Sequence, residues 1–374
     1  MNAPILFFVS DFYPGGAQRE MFELDVELKK RGIQIAILCL RDLNTSKVFS
    51  DHYYEHHKSL GTPIAFYNNL RFRQSFSFIE KVKNKLGLNK PFDLNEYLSQ
   101  FSKVIYVGEY TFQAVYKSLR ISNQDVINMI IVCTRFQGER YRDFNKSHSY
   151  NFIDGFDDRN QVAFEYEGFT NYRTYCLPLS FEPTHRYYQW KFRNLENKKI
   201  AIFTRLSKAK PLDPFLYSFS ILKEKYPRLE LHIFGAGDAD DAEYTRYIKH
   251  LDIKDVFFRG HLDQMKEKIN EEVIDLVWFQ GYLNRPAGYA GFDVALTGVP
   301  QLFWDFYAGE NPNINRLDYT YPHYKSITRF TEDSEAVLLN EEIATSISTR
   351  QFEDTLNNRN MSKNIMVLKD ILPL

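Results

Sequence analysis

Ile5-Leu6-Phe7-Phe8-Val9, followed by Ser10-Asp11 and the turn Tyr13-Pro14-Gly15-Gly16, decides how this chain folds. An unbroken apolar run is the pattern of a strand covered on both faces. Beyond the glycines, Ala17, Met21, Leu24 and Leu28 recur at helical spacing, with Gly32 just past the end. Residues 33–40 form a second buried strand. Strand, glycine turn, helix and strand open a parallel α/β domain.

The rhythm continues outward. Runs at 64–67, 104–107, 129–133 and 175–179 read as strands. Pro178, Pro183 and the aromatic-polar stretch 185–197 read as a connector. A second unit opens with Lys199-Ile200-Ala201-Ile202-Phe203, then a helix over 214–226 and strands at 229–234, 256–258, 274–279 and 299–303. Helical patterns lie at 263–270 and 292–296. The expected organisation is an N-terminal Rossmann-like domain over 1–184, a linker over 185–198 and a C-terminal Rossmann-like domain over 199–350. A helical tail over 351–374 is expected to pack back on the first domain. Two α/β halves of similar size imply a cleft between nucleotide-binding-like domains. No period of a repeat protein is present.

Composition narrows the classes. The chain has 374 residues, 44% of them hydrophobic and 25% charged, enough for a proper core in each domain. A net charge of -1 argues against nucleic acid as the main partner, because binding phosphate backbones needs a basic surplus. Cys39, Cys133 and Cys176 have neither metal nor redox spacing and read as reduced thiols in a cytosolic protein. No basic leader and no run of about 20 apolar residues is present, so a cytoplasmic protein is expected. Residues 71–90 carry Arg71, Arg73, Lys81, Lys83, Lys85 and Lys90 against Glu80, with Phe72, Phe76, Ile79 and Leu86 interleaved. Such a segment fits either a solvated helix or peripheral contact with the inner face of an anionic membrane. His52, His56 and His57 lack an assignable third metal ligand and read as helix or loop surface.

Four stretches carry candidate chemistry. Gly15 and Gly16 let backbone N–H groups approach a negatively charged ligand at a helix start. Arg205 and Lys210 emerge after the first strand of the second half, where parallel sheets bind ligands. Gly235 and Gly237 follow the strand 231–234, in the position of a close backbone approach beside a nucleotide. The stretch Asn284-Arg285-Pro286-Ala287-Gly288-Tyr289-Ala290-Gly291-Phe292-Asp293 opens a short helix, offering N–H groups near Gly288 and a forked cation at Arg285.

Taken in order, these motifs resemble the family-four retaining glycosyltransferases. Gly15-Gly16-Ala17-Gln18-Arg19 matches the family's first turn, and Thr204-Arg205-Leu206…Lys210-Pro211 matches the segment that opens the second domain. Phe234-Gly235-Ala236-Gly237, Val256-Phe257-Phe258-Arg259-Gly260 and the stretch from Arg285 through Gly298-Val299-Pro300 complete the series. The resemblance implies the GT-B architecture, two Rossmann-like parallel-sheet domains facing each other across a cleft. It also implies a hexosyltransferase that moves a sugar from a nucleotide-sugar donor to a glycan or lipid-linked acceptor, in the synthesis of envelope polysaccharide or glycoconjugates. Neither metal nor other cofactor is implied. Arg205 and Lys210 would stabilise the leaving nucleotide diphosphate, and Glu109 and Arg135 would orient the acceptor or reacting centre. Gly15, Gly16, Gly235, Gly237, Arg285, Gly288, Tyr289 and Asp293 would line the donor. The family carries two glutamates where this chain has Arg285 and Asp293, eight positions apart. Asp293 still accepts hydrogen bonds from hydroxyls, whereas the charge reversal at Arg285 does not carry over the family's hold on the donor sugar. Pro211 replaces a glycine. A nucleotide-sugar epimerase of the same fold, and a non-catalytic glycan-binding or partner subunit of a transferase, are the competing readings.

Overall fold

The computed structural model describes residues 3–43, 51–72, 92–120, 126–130, 144–155, 165, 167–194, 196–208, 210–239, 243–262, 264–281, 288–305 and 317–374. The chain divides into two units, Met1–Glu182 with Met361–Leu374, and Pro183–Asn360.

The first unit runs β1 (Ile5–Val9), α1 (Gly16–Lys30), β2 (Ile35–Cys39), α2 (His52–Ser59), β3 (Ile64–Phe66), α3 (Tyr67–Phe72), α4 (Leu94–Leu98), β4 (Lys103–Val107), α5 (Glu109–Tyr116), β5 (Val126–Ile130), β6 (Tyr150–Asp154) and β7 (Tyr172–Cys176). The strands pair in parallel in the order β3-β2-β1-β4-β5-β6-β7. All of β1 is buried, as its apolar run requires, with Met21, Leu24 and Leu28 of α1 over one face and Phe112 and Phe152 over the other.

The second unit runs β8 (Lys199–Phe203), α6 (Asp213–Lys225), β9 (Glu230–Phe234), α7 (Tyr244–His250), β10 (Val256–Gly260), α8 (Met265–Glu272), β11 (Leu276–Gly281), α9 (Tyr289–Thr297), β12 (Gln301–Asp305), β13 (His323–Tyr324), α10 (Ile327–Leu339) and α11 (Glu341–Asn358). Its sheet is parallel too, in the order β10-β9-β8-β11-β12-β13. Trp278 sits at its centre, packed with Phe215 and Phe330, and its indole N–H reaches Ser334 Oγ at 3.0 Å.

Several expectations need correction. The strand expected at 129–133 lies at Val126–Ile130, and the one expected at 175–179 lies at Tyr172–Cys176. The latter is the sheet's edge, so its exposed Arg173 and Thr174 hide it from a search for buried runs, while Pro178 cannot donate to a ladder. Strand β6 gave no apolar run because Asn151 and Asp154 interrupt it.

Segment 185–198 is not a free linker. The Gln189 and Trp190 N–H groups both donate to the Thr297 carbonyl, at 3.2 and 3.1 Å, and Arg193 Nε donates to Asp275 Oδ1 at 2.9 Å. The tail that joins the first unit starts at residue 361 rather than 351. Residues 351–358 belong to α11, where Gln351 receives the Gln301 N–H at 3.0 Å and donates back to its carbonyl at 2.9 Å. Beyond it, α12 (Met361–Asn364) lies on α1 and the turn Ile365–Leu368 on β7. There the Arg31 guanidinium donates to the Ser362 carbonyl at 2.7 Å, and the Met361 N–H donates to Phe181 at 2.9 Å.

His57 is buried rather than at the surface, its Nδ1 2.7 Å from Asp25 Oδ2, while His52 and His56 do share a helix face with ring centroids 4.3 Å apart. Cys39 is buried, and burial pushes its thiol up to about 12; Cys176 is exposed. Cys133 and residues 73–90 of the basic stretch lie outside the described residues. Among the described residues no helix is long and apolar enough to cross a membrane.

The end of α8 carries local strain. Val273 has φ 55° and ψ 61°, left-handed values unfavourable for a β-branched residue. Its carbonyl accepts from Arg193 at 3.2 Å, and its side chain is 47% exposed, so little packing depends on it. Val273→Gly is expected to raise stability by about 0.5–1 kcal/mol. Urea midpoints measure this, and a lowered midpoint would contradict the strain.

Candidate functional site

Strand order reverses between β1 and β4 in the first sheet and between β8 and β11 in the second. Loops leaving the carboxyl ends of such a strand pair run in opposite directions and open a crevice, the usual ligand position in open parallel sheets. Four helices follow the strands at these two points, and three of them have a glycine N-cap with no side-chain hydrogen bond, α1 at Gly15, α5 at Gly108 and α9 at Gly288, while α6 starts after Leu212. By contrast Asp93, Ser326 and Asn340 cap α4, α10 and α11 with their side chains. The first-turn N–H groups of the glycine-capped helices therefore suit an incoming anion. Gly288, at φ 66° and ψ −150°, occupies a region essentially reserved for glycine.

At the second reversal point the loop after β8 carries exposed Arg205 and half-buried Lys210. It continues the sheet. The Thr204 N–H donates to Phe234 at 2.9 Å, the Leu206 N–H to Ala236 at 2.8 Å, and Leu206 bridges Gly237 in parallel. A Cβ on Gly235 would lie 1.6 Å from the Thr204 carbonyl oxygen, and one on Gly237 2.2 Å from that of Leu206. Both glycines are therefore required by loop-on-loop packing, which places Arg205.

Two side chains hold the rest of the loop. The Tyr244 hydroxyl donates to the carbonyls of Ser207 at 3.0 Å and Lys210 at 2.6 Å, and Gln280 Nε2 at the end of β11 donates to Pro211 at 2.9 Å. Burial pushes the Tyr244 hydroxyl up to about 12, so it stays a donor at neutral pH. Pro211 thus turns its carbonyl toward β11.

In α9, Tyr289 and Asp293 are buried, and Lys266 Nζ of α8 lies 3.2 Å from Asp293 Oδ1. Arg205, Lys210, Gly235, Gly237, Gly288, Tyr289 and Asp293 thus gather around the carboxyl ends of β8, β9 and β11. Gly15, Gly16 and Glu109 belong to the first unit. There Asp11 Oδ1 accepts from the Tyr13 N–H at 3.2 Å and from Gln18 Nε2 at 2.7 Å, folding the turn that carries the glycines. Glu109 is buried at the first position of α5. A Cβ on Gly16 would meet no atom within 4 Å. Arg135 and Arg285 lie outside the described residues.

The same two-sheet arrangement recurs in solved structures. Anabaena HepE in complex with UDP-glucose is similar over 99% of this chain and 100% of its own, at 13% identity and a TM-score of 0.70. A variant of S. aureus TarM in complex with fondaparinux, alpha-GlcNAc-glycerol and UDP is similar over 98% of this chain and 99% of its own, at 10% identity and a TM-score of 0.65. Sucrose-phosphate synthase from Thermosynechococcus elongatus is similar over 98% of both chains, at 11% identity and a TM-score of 0.66. The fold is GT-B. Neither a family model nor a curated protein matches the sequence.

Within this GT-B chain, sequence reading missed Tyr244, Gln280 and Lys266. Tyr244 and Gln280 act on carbonyls 34 and 69 positions away, distances that no local spacing signals. The Lys266–Asp293 pair spans 27 positions in the same way.

The glycines divide into two kinds, and this is testable by thermal unfolding. Gly237→Ala is expected to cost about 1–3 kcal/mol or more by overpacking against Leu206. Gly16→Ala should leave stability unchanged or raised by up to about 1 kcal/mol, because alanine favours the helix and the space is open. Equal losses at both sites would refute the distinction. Tyr244→Phe, which removes a donor from two carbonyls, should cost about 1–2 kcal/mol; an unchanged midpoint would show that the loop holds without it.

Proposed function

We propose that the chain is a glycosyltransferase taking a hexosyl group from a uridine diphosphate sugar to a glycan or lipid-linked acceptor. The observation that carries this reading is that the laddered Arg205 loop and the glycine-capped start of α9 both follow strands at the order reversal of the second sheet. Uridine is favoured because HepE and TarM, similar in fold, are complexed with UDP-glucose and UDP respectively.

In the reaction the bond between the anomeric carbon and the diphosphate oxygen breaks, and negative charge builds on the leaving diphosphate. Arg205 and Lys210 supply cations there, and the first N–H groups of α9 supply fixed dipoles. Because the loop is laddered to β9, little reorganisation is needed as charge develops. Asp293 accepts a hydroxyl of the nucleotide, and Arg285 is assigned to the donor. On the acceptor side we assign the turn at Gly15 and Gly16, with Glu109 orienting the incoming hydroxyl and Arg135 serving the reacting centre. Retention of anomeric configuration belongs to the same proposal. Contact of residues 71–90 with the membrane that holds a lipid-linked acceptor fits the charge of that stretch.

Thermal unfolding in the presence of UDP, GDP, CDP and ADP tests the reading. UDP at 100 times its dissociation constant should add about 2.7 kcal/mol, and Arg205→Ala should abolish most of that gain while leaving the ligand-free midpoint in place. Slow release of glucose from UDP-glucose without acceptor would accompany it. Indifference to every nucleotide would overturn the proposal.

A further inference from the structure

A cavity of about 400 Å³ opens within the second unit, lined by Arg186, Tyr187, Gln189, Glu267, Asn270 and Glu271. None of these residues belongs to the Arg205 loop or to α9. The walls are pinned to the fold without any ligand. Asn270 Nδ2 of α8 donates to the Tyr187 carbonyl at 3.1 Å, joining the helix to the turn His185–Tyr187. Thr184 Oγ1 accepts the Arg186 N–H at 3.3 Å, and the Gln189 N–H donates to the Thr297 carbonyl at 3.2 Å. Glu267, Asn270 and Glu271, spaced three and four positions apart, share one face of α8.

The lining mixes donors with acceptors. Arg186 brings a guanidinium, Glu267 a carboxylate and Gln189 an amide that does both. Glu271 is bound to Lys268, whereas the Glu267 and Gln189 side chains have no partner among the described residues. Charged ligands of either sign meet like charge here. Arg186 Cζ lies 4.4 Å and Lys266 Nζ 5.0 Å from the centre of the Tyr187 ring, opposing a cation, and the two glutamates oppose an anion. A neutral molecule whose hydroxyls donate and accept at once suits such a set, and the volume is that of a small-ligand site. We propose that this cavity binds a neutral saccharide of one or two sugar residues. Binding there needs no nucleotide. Its use, holding part of a glycan away from the Arg205 loop, rests on the transferase reading above.

Saturation-transfer NMR on the full chain tests this, with maltose, cellobiose, lactose and diacetylchitobiose as probes. Choline and glycerol 3-phosphate serve as charged controls. At least one disaccharide should receive more saturation than either control, and UDP in excess should not displace it. Glu267→Ala and Gln189→Ala each remove one hydrogen-bonding group and should weaken that disaccharide by at least about fivefold. Glu267→Gln, which keeps an acceptor oxygen, should weaken it less than Glu267→Ala. Both positions are exposed, so ligand-free melting midpoints should stay in place and verify that each variant folds.

Silence from every disaccharide would overturn the proposal, as would a signal that both alanine variants leave untouched. Displacement by UDP would move the sugar to the donor site, and a stronger response from choline or glycerol 3-phosphate would refute the neutral ligand. These failures leave the proposed transferase standing if UDP still stabilises the chain. A disaccharide signal that follows the variants, in a chain that no nucleotide stabilises, would uphold the saccharide site and overturn the transferase.

Discussion

The parallel ladder between β8 and β9 does not stop where the strands end. Past Phe203 and Phe234 it continues through Thr204 to Phe234 and Leu206 to Ala236, closing with the bridge from Leu206 to Gly237. Everything near the second reversal point depends on that overrun, because it turns what would be a free loop into an extension of the sheet. The first unit repeats the device. Its β1–β2 ladder continues from Leu40 to Val9 at 2.8 Å and from Arg41 to Ser10 at 3.2 Å. A charge carried on such an extension loses little freedom when a ligand arrives, so Arg205 on its ladder is better prepared than the same residue on a mobile loop. Backbone contact this close admits no side chain, which explains the two glycines at 235 and 237 without reference to any ligand.

Helix starts supply the complementary half. At Asp93, Ser326 and Asn340 a side chain satisfies first-turn N–H groups, whereas α2, α7 and α8 start without such a cap. Where strand order reverses, α1, α5 and α9 begin instead at a glycine, which has no side chain to cap with. A cap of Ser, Asp or Asn is worth about 1 kcal/mol, and a glycine in its place at these three positions leaves room for a close backbone approach.

Legibility in the sequence follows burial. Ile5–Val9 and Lys199–Phe203 announce themselves because central strands of a parallel sheet are apolar on both faces. Strand β7 and the short β13 do not: one is a half-exposed edge, and the other is two residues whose pairing with Phe303 and Trp304 is decided by the sheet. At the candidate site the cations and glycines are chosen from their place after a strand, as with Arg205 and Gly288. Their supports are not, since Tyr244, Gln280 and Lys266 reach them across tens of residues. The same limit affected residues 185–198, whose prolines and polar aromatics look like a connector until Tyr188 meets Gly298.

That last contact bears on how α9 presents its N-terminus. Eight of its nine residues are buried, so the helix is gripped all round rather than along one stripe. Its far end is fixed three ways. Gly298 turns the chain at φ 83° with the Tyr188 ring where a Cβ would go, the Thr297 carbonyl takes two N–H groups from segment 189–190, and Tyr188 Oη lies 3.0 Å from Ser348 Oγ of α11. Inward, Gln301 Nε2 donates to the Gly291 carbonyl at 2.9 Å, and Gln351 in turn holds Gln301. A helix restrained at its tail and waist delivers its head to a fixed point, and the head begins at Gly288. Residues far from any ligand thereby set where the N–H groups lie, and the segment between the two sheets becomes part of the apparatus that aims them.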